Sequence, residues 1–481
     1  MVLAGRPLAL TVLAIVVGAV IGALLLGLTA ATSAAERVPA MVLLRGLLGR
    51  RASALPTVLN LVQCLGWATF EIVVIAEAAS RALDAERWPF VLVGGVLATA
   101  MAVRPLGAVR VLARYAVWVA LASVAYLFVR VLTGPLPEVQ TGGAASFWSA
   151  VDVVIALPVS WFPLAGDYTR HARSTRTALV GSAVGYGAAT VALFTLGVLA
   201  LSAYGAAGLD VIGALLAVPL GLLAVLLLVF VELDEVFANV YSAAVSSQNL
   251  AARLDRRVLA VAVGTVATLL ALSFDIASYE PFLFLLGAVF VPLAGVLIVA
   301  YYLVPRGSWD VSDTAPGRPL LLLPWAAGFV SYQLTLPTLF AGPGAGWTAW
   351  WSARQTDLGI SGTSGLSASL VSLTVATLLT AAVTVPGTLR HPDKRPAVSV
   401  SPIWTTASKP GYAPALGVPG LAALLPGAPP AYALDGVTDP AGARACRQAG
   451  AYGVAAVGAV MRADRPEQVL AGLLHALGES G

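Results

Sequence analysis

AVPLGLLAVLLLVFVELDEVFANVYSAAVSSQN, residues 217–249, runs from hydrocarbon straight into three carboxylates, Glu232, Asp234 and Glu235. On a helix, Glu232, Glu235, Asn239, Ser242 and Ser246 stand at spacings of 3, 4, 3 and 4. At about 100° per residue they share an arc of about 80°, one continuous polar stripe. Asp234 falls off the stripe, on the side of Tyr241. Glu232 precedes Gln248 by about 24 Å of helix, and the apolar residues from Ala217 to Val231 argue that it lies deep in a span. Acids at a membrane interface would cost little, and that reading stays open beside a stripe lining a polar cavity. Ionisable groups inside a membrane rarely face lipid.

Composition supplies the solvent. Hydrophobic residues make up 59% of the 481, charged residues 11%, and the mean hydropathy is +0.87. A soluble domain is about a quarter charged, so the expected class is an all-α polytopic membrane protein. The net charge of +4 reads as topology signals in short loops rather than as a nucleic-acid footprint. Cys64 and Cys446 fit no metal or disulfide spacing. The first apolar run, Leu8 to Ala31, is long enough to span rather than to be cleaved as a signal sequence.

Eleven candidate spans lie near 7–31, 54–79, 88–105, 108–132, 147–170, 175–204, 215–248, 257–275, 280–305, 319–341 and 364–388. The loops on one side carry Arg37, Arg45, Arg50, Arg51, Arg104, Arg110, Arg114, Arg170, Arg173, Arg176, Arg253, Arg256, Arg257, Arg306, Arg318, Arg390, Lys394 and Arg395. The other side carries Arg6, Arg81, Arg87, Arg130 and Arg354. This asymmetry places the C-terminus in the cytoplasm of a multi-pass protein of the cell (inner or plasma) membrane. An odd span count then starts Met1 outside and hints at a span missing from the front. The expected domains are a transporter over 1–390, a proline-bearing linker over 391–403 and a small soluble α/β fragment over 404–481, whose core is marginal at that size.

Two more stretches carry chemistry. In LNLVQCLGWATFEIVV, Asn60, Gln63, Trp67 and Glu71 stand on one helix face at spacings of 3, 4 and 4. A tryptophan one turn from a carboxyl suits a flat heterocycle; the alternative is an interfacial tryptophan, though those belong at span ends. In ALPVSWFPLAGDYTRHARS, Pro158 and Pro163 bracket Trp161, with Gly166 and Asp167 following. Two prolines five apart remove backbone donors, which predicts a discontinuous helix lining a cavity, or more simply a proline kink.

GWATFE, SWFPLAGDYTRHAR and FANVYSAAVS together resemble the nucleobase–cation symporters of the purine, cytosine and allantoin permease type, over about residues 7–390. ELDEVFANVYSAAVS and GWATFE look closest to the branch proposed to import hydroxymethylpyrimidine, the thiamine precursor. The resemblance implies a leucine-transporter-like inverted-repeat fold, normally of twelve spans. The first span here matches the family's second, so the expectation is that fold lacking its first span. GAVFVPLAGVLIVAYYLV resembles the family's tenth span, with Ala300 and Tyr301 where an Asp-Tyr pair often stands. Phe237 and Ala238 stand near the places where the family's sodium site uses small or hydroxyl residues. Residues 404–469 resemble the C-terminal third of thiamine-phosphate synthase and its thiazole tautomerase relatives, (β/α)8 barrels whose phosphate sits on a Gly-Gly pair. That pair reads Asp435–Gly436 here, and a carboxylate there repels phosphate, so no enzyme activity is expected.

The resulting expectation is a secondary active importer of a small aminopyrimidine, working by cation-coupled alternating access. Trp67 and Trp161 sandwich the ring; Glu71 pairs with the 4-amino group and the adjacent ring nitrogen; Gln63, Asn239 and Glu235 add polar contacts. Glu71, Glu232 and Glu235 are candidates for coupling, with Na+ and H+ both open. No cofactor, metal, nucleic acid or obligate protein partner is expected; the lipid bilayer is. The alternatives are a cytosine or other nucleobase permease, a non-transporting truncated pseudotransporter, and a membrane-anchored thiamine-pathway enzyme.

Overall fold

The computed structural model describes residues 7–105, 114–115, 117–133, 146–204, 212–213, 216, 219–273, 279–304, 309–340, 344–360, 365–390, 398–405, 414–429 and 431–478. The start of the fourth expected span, residues 217–218 of the opening stretch, residues 391–397 of the expected linker, and Arg6, Arg110, Arg306, Lys394 and Arg395 lie outside them. The chain packs as two units, residues 1–303 with 309–383, and residues 304–308 with 384–481.

Helix dominates the first unit because its backbone polar groups have no water to turn to in a bilayer. The helices are α1 (Leu8–Glu36), α2 (Ala40–Leu48), α3 (Ala54–Leu83), α4 (Arg87–Val103), α5 (Val117–Leu132), α6 (Phe147–Ser160), α7 (Phe162–Thr169), α8 (Thr175–Val180) and α9 (Gly187–Tyr204). They continue as α10 (Gly221–Leu250), α11 (Arg256–Ala271), α12 (Tyr279–Ile298), α13 (Leu322–Thr335), α14 (Ala345–Asp357) and α15 (Ala368–Arg390). Among the described residues, five stretches are both long and apolar enough to cross a membrane: Leu8–Glu36, Ala54–Leu83, Phe147–Thr169, Thr175–Leu201 and Pro281–Leu303. At about 1.5 Å per residue the 30-residue α10 is also long enough, and it is set apart by its three acids, Glu232, Asp234 and Glu235.

Lipid gives apolar helices no hydrophobic reason to associate, so close van der Waals packing through small residues has to hold them. In α1, a side chain on Gly18 would stand 2.7 Å from Val154, and one on Gly22 would stand 3.0 Å from the Ile155 carbonyl, so α1 closes onto α6 through these glycines. Helices α4 and α11 cross through a reciprocal pair. Thr268 packs on Gly95 and Thr99 packs on Gly264. Each threonine hydroxyl is tied back along its own helix, Thr99 to the Gly95 carbonyl at 2.7 Å and Thr268 to that of Gly264 at 2.6 Å. A buried acid joins α6 to α15: Asp152 accepts the Ser367 hydroxyl at 2.6 Å and the backbone amides of Ala368 and Ser369 at 2.8 and 3.0 Å. Those amides open α15 and have no partner within their own helix.

Helices α2 and α14 are absent from the sequence expectation, because each is too short to span. The first nonetheless organises one end of the bundle. Its leading amide, at Ala40, donates to Asp167 Oδ1 at 3.3 Å. At its other end Arg45 Nε donates to Asn249 Oδ1 at 2.7 Å, and Arg45 Nη1 donates to Asp313 at 2.7 Å. A strap running from Trp309 to Arg318 crosses over it: Trp309 Nε1 donates to the Leu43 carbonyl at 3.0 Å and Arg318 Nη1 to that of Gly46 at 2.8 Å. Gly46 is required there, since a side chain would occupy the Trp309 ring's position. Tyr301, after α12, donates to Glu36 at the end of α1 at 2.7 Å.

The second unit holds a three-stranded parallel sheet, β1 (Val398–Val400), β2 (Ala431–Leu434) and β3 (Gly453–Ala455), in that order, with Val398 opposite Ala431 and Tyr432 opposite Gly453. Four helices accompany it, α16 (Gly417–Leu424), α17 (Pro440–Gln448), α18 (Val457–Met461) and α19 (Pro466–Leu477). Ile403, Leu421, Ala433, Cys446 and Leu473 form its small core. After β2, Asp435 and Gly436 both take positive φ, 67° and 78°, and the Ser401 hydroxyl donates to Asp435 at 2.6 Å.

Candidate substrate site

The two polar stripes expected on α3 and α10 lie against each other. Asn60 Nδ2 donates to Ser246 Oγ at 2.9 Å, and Asn249 Nδ2 donates to Thr57 Oγ1 at 2.9 Å. Further along, Asn239 Nδ2 reaches both oxygens of Glu71 at 3.2 Å and the Glu235 carbonyl at 3.1 Å. The helices are antiparallel here, so residues that climb α3 from 57 to 71 meet residues that descend α10 from 249 to 239. Asn60 and Gln63 are fully buried, Asn239 is 2% exposed and Glu71 8%. Unpaired polar groups at that depth would be costly, so the pairing is what lets them reside there.

The interrupted helix joins the same face through its backbone. Structure corrects the expectation of an unwound segment. Helices α6 and α7 are separated only by Trp161, which itself keeps helical angles, φ −83° and ψ −10°. Pro163 has no N–H to give. The amide of Leu164 turns instead to the Trp161 carbonyl at 3.0 Å, a tighter turn than α. That releases the Ser160 carbonyl from its usual partner four residues on, and Gln63 Nε2 takes it at 2.6 Å. A local consequence of proline thus becomes a link from α6 to α3.

The two tryptophans meet different partners. Trp67 meets Phe282 of α12 edge-on at 5.8 Å between ring centres, and the missing side chain of Gly66 makes room for that ring. Trp161 lies near Tyr168 at 6.4 Å and Tyr186 at 5.9 Å. Glu232 and Glu235 are partly buried, and both lie close enough to Glu71 for their charges to interact. None of the ion pairs among the described residues involves these acids. Phe237 sits in an apolar cluster with Ile72 and Val240, and neither it nor Ala238 has a side-chain oxygen. No group of three or more metal-binding side chains occurs among the described residues.

Several contributors were not expected from sequence: the Ser160 carbonyl, Thr57, Asn249 and Asp167. Asp167 was visible as an acid after the second proline, but its partner on α2 was not. A separate cleft of about 600 Å³ between α4 and α11 is lined by Leu92, Val96, Val261 and Leu269. It opens on the apolar outside and includes none of the polar face.

The sequence profile described as permease for cytosine/purines, uracil, thiamine, allantoin matches residues 8–318. The chain belongs to this permease family. Among solved structures it resembles Mhp1, a nucleobase-cation-symport-1 family transporter, in a closed conformation with bromovinylhydantoin bound. The TM-score is 0.60 and the identity 17%, over 80% of this chain and 87% of that one. The inward-facing conformation of Mhp1 gives a TM-score of 0.57 at 17% identity, over 80% and 86%. At such identity the likeness establishes the fold. No curated protein sequence matches the chain significantly. The permease is therefore a multi-pass membrane transporter.

Proposed function

We propose that the permease imports a small aminopyrimidine, hydroxymethylpyrimidine first, across the cell membrane by cation-coupled alternating access, with its C-terminus in the cytoplasm. The observation that carries this reading is Glu71, buried opposite Asn239 and one face along from Gln63. A carboxyl holding one proton presents a donor beside an acceptor, the complement of a 4-amino group beside a ring nitrogen. If the shared proton passes to the ring nitrogen, both bonds become charge-assisted and roughly twice as strong as neutral ones. Trp67 and Trp161 supply flat apolar surface for the ring, and Glu235 and Asn239 further polar contacts.

The coupling ion in this reading is a proton carried among Glu71, Glu232 and Glu235, because Phe237 and Ala238 lack the oxygens sodium needs. The arginine asymmetry of the loops supports the orientation. The second unit's resemblance to thiamine-phosphate synthase supports a thiamine precursor as cargo, since a transporter and an enzyme fragment on one chain point to one pathway.

Cytosine is the second reading, favoured by the same amino-pyrimidine edge. Uptake of radiolabelled hydroxymethylpyrimidine by cells expressing the full chain separates them. Saturable uptake displaced by unlabelled hydroxymethylpyrimidine at lower concentration than by cytosine is the expected result. Stronger displacement by cytosine overturns the substrate, and absence of uptake of both overturns the importer.

A further inference from the structure

Away from the polar face, the cleft of about 600 Å³ between α4 and α11 runs from an apolar groove into a charged end. Its floor is the helix crossing. Gly95 and Gly264 let the two helices close there, and the hydroxyls of Thr99 and Thr268 are spent on carbonyls of their own helices at 2.7 and 2.6 Å. Leu92, Val96, Val103, Val261 and Leu269 line the walls, and Arg104 stands at one end. Val96 is 64% exposed and Leu269 58%, so the groove opens outward, where a membrane protein meets hydrocarbon. Leu92 and Arg104 are separated by about 18 Å of helix. That is close to the depth of one leaflet, half of a hydrocarbon core about 30 Å thick.

The charged end is not balanced by acids. Arg256 Nη1 donates to the Ala102 carbonyl at 2.7 Å and Nη2 to the Val103 carbonyl at 3.3 Å, which satisfies the last carbonyls of α4. Its guanidinium also lies over the Tyr241 ring, 5.4 Å from the centre, so Arg256 is committed to the protein. Asp255 caps α11 by accepting the Arg257 amide at 2.6 Å. Arg104, Arg253 and Arg257 are exposed, and none of them takes part in an ion pair among the described residues. We propose that this groove binds an anionic phospholipid, with one acyl chain between α4 and α11 and the phosphate on Arg104. A soluble anion would leave the groove unfilled, and a neutral lipid would leave the arginines unpaired. Basic residues at the mouth of a gap between membrane helices select anionic headgroups in this way.

The test is native mass spectrometry of the purified full-length protein titrated with dioleoyl-phosphatidylglycerol or dioleoyl-phosphatidylcholine. The first phosphatidylglycerol is expected to half-saturate at a concentration at least about fivefold below that of phosphatidylcholine, the effect of one arginine at a headgroup. Arg104→Gln should remove that preference and leave phosphatidylcholine unchanged. Val96→Trp and Val261→Trp fill the groove from opposite walls and should weaken both lipids about fivefold or more. Thermal unfolding without added lipid checks that each variant is folded, and either groove-filling variant suffices. Equal half-saturation by the two lipids in the parent protein overturns the proposal. So does a preference that survives Arg104→Gln, or phosphatidylglycerol binding that survives a folded groove-filling variant, since either result places the lipid elsewhere.

Discussion

Glu71 and Glu235 sit on facing helices and are bonded differently. Glu71 is held by the Asn239 amide across the α3–α10 contact, whereas Glu235 gives only its backbone carbonyl to that bond. The Glu235 carboxyl takes no part in that bond, and Asp234 falls off the stripe. If Glu235 carries the coupling proton, uptake driven by an acid exterior should lose its dependence on external pH in Glu235→Gln and keep it in Asp234→Asn. Initial uptake rates across a pH series measure this; matching profiles for the two variants would remove Glu235 from the coupling path.

Among elements, α2 and the strap over it give a prediction in which exposure decides the magnitude. Arg45 is buried and holds Asn249 Oδ1, while the Asp313 side chain is 75% exposed. Truncating Asp313 lets water take its place on the guanidinium, at about 0–1 kcal/mol. Truncating Arg45 leaves the Asn249 oxygen without a donor where water does not follow, at about 1–3 kcal/mol. Thermal unfolding of the purified protein should therefore show Arg45→Ala clearly below Asp313→Ala. At the α4–α11 crossing, Gly264→Val drives a side chain into Thr99 and should cost about 1–3 kcal/mol by the same measurement. The polar faces of α3 and α10 were legible because spacings of 3 and 4 name a helix side without reference to anything distant. That Asn60 would meet Ser246, or Asp152 the first amides of α15, was not legible, because pairings 186 and 216 residues apart leave no mark on local periodicity. Helix α2 escaped notice for a different reason. AMVLLRGLL is apolar but nine residues long, and a search for spans discards it. The two prolines marked the right place in the sixth helix and overstated the break, since a proline removes one donor while a single tightened turn can absorb the loss.

At the scale of the whole molecule, two units of different character share one chain. The membrane unit follows from composition and belongs to a permease family; the second is a small parallel sheet with helices. In that second unit Asp435, which the sequence resemblance sets where a phosphate-binding glycine is expected, accepts a hydrogen bond from Ser401. Purified residues 398–481 are accordingly expected to show no joining of a pyrimidine diphosphate to a thiazole phosphate, and measurable product would contradict the account. In the proposed function the buried carboxyl of Glu71 reads the cargo. The most direct test is uptake of radiolabelled hydroxymethylpyrimidine into proteoliposomes holding either the parent protein or Glu71→Ala. Loss of the carboxyl leaves the cargo's amine and ring nitrogen unpaired in a dry site, so the account predicts a fall of about ten- to hundredfold in apparent affinity. Uptake by Glu71→Ala equal to that of the parent would contradict it.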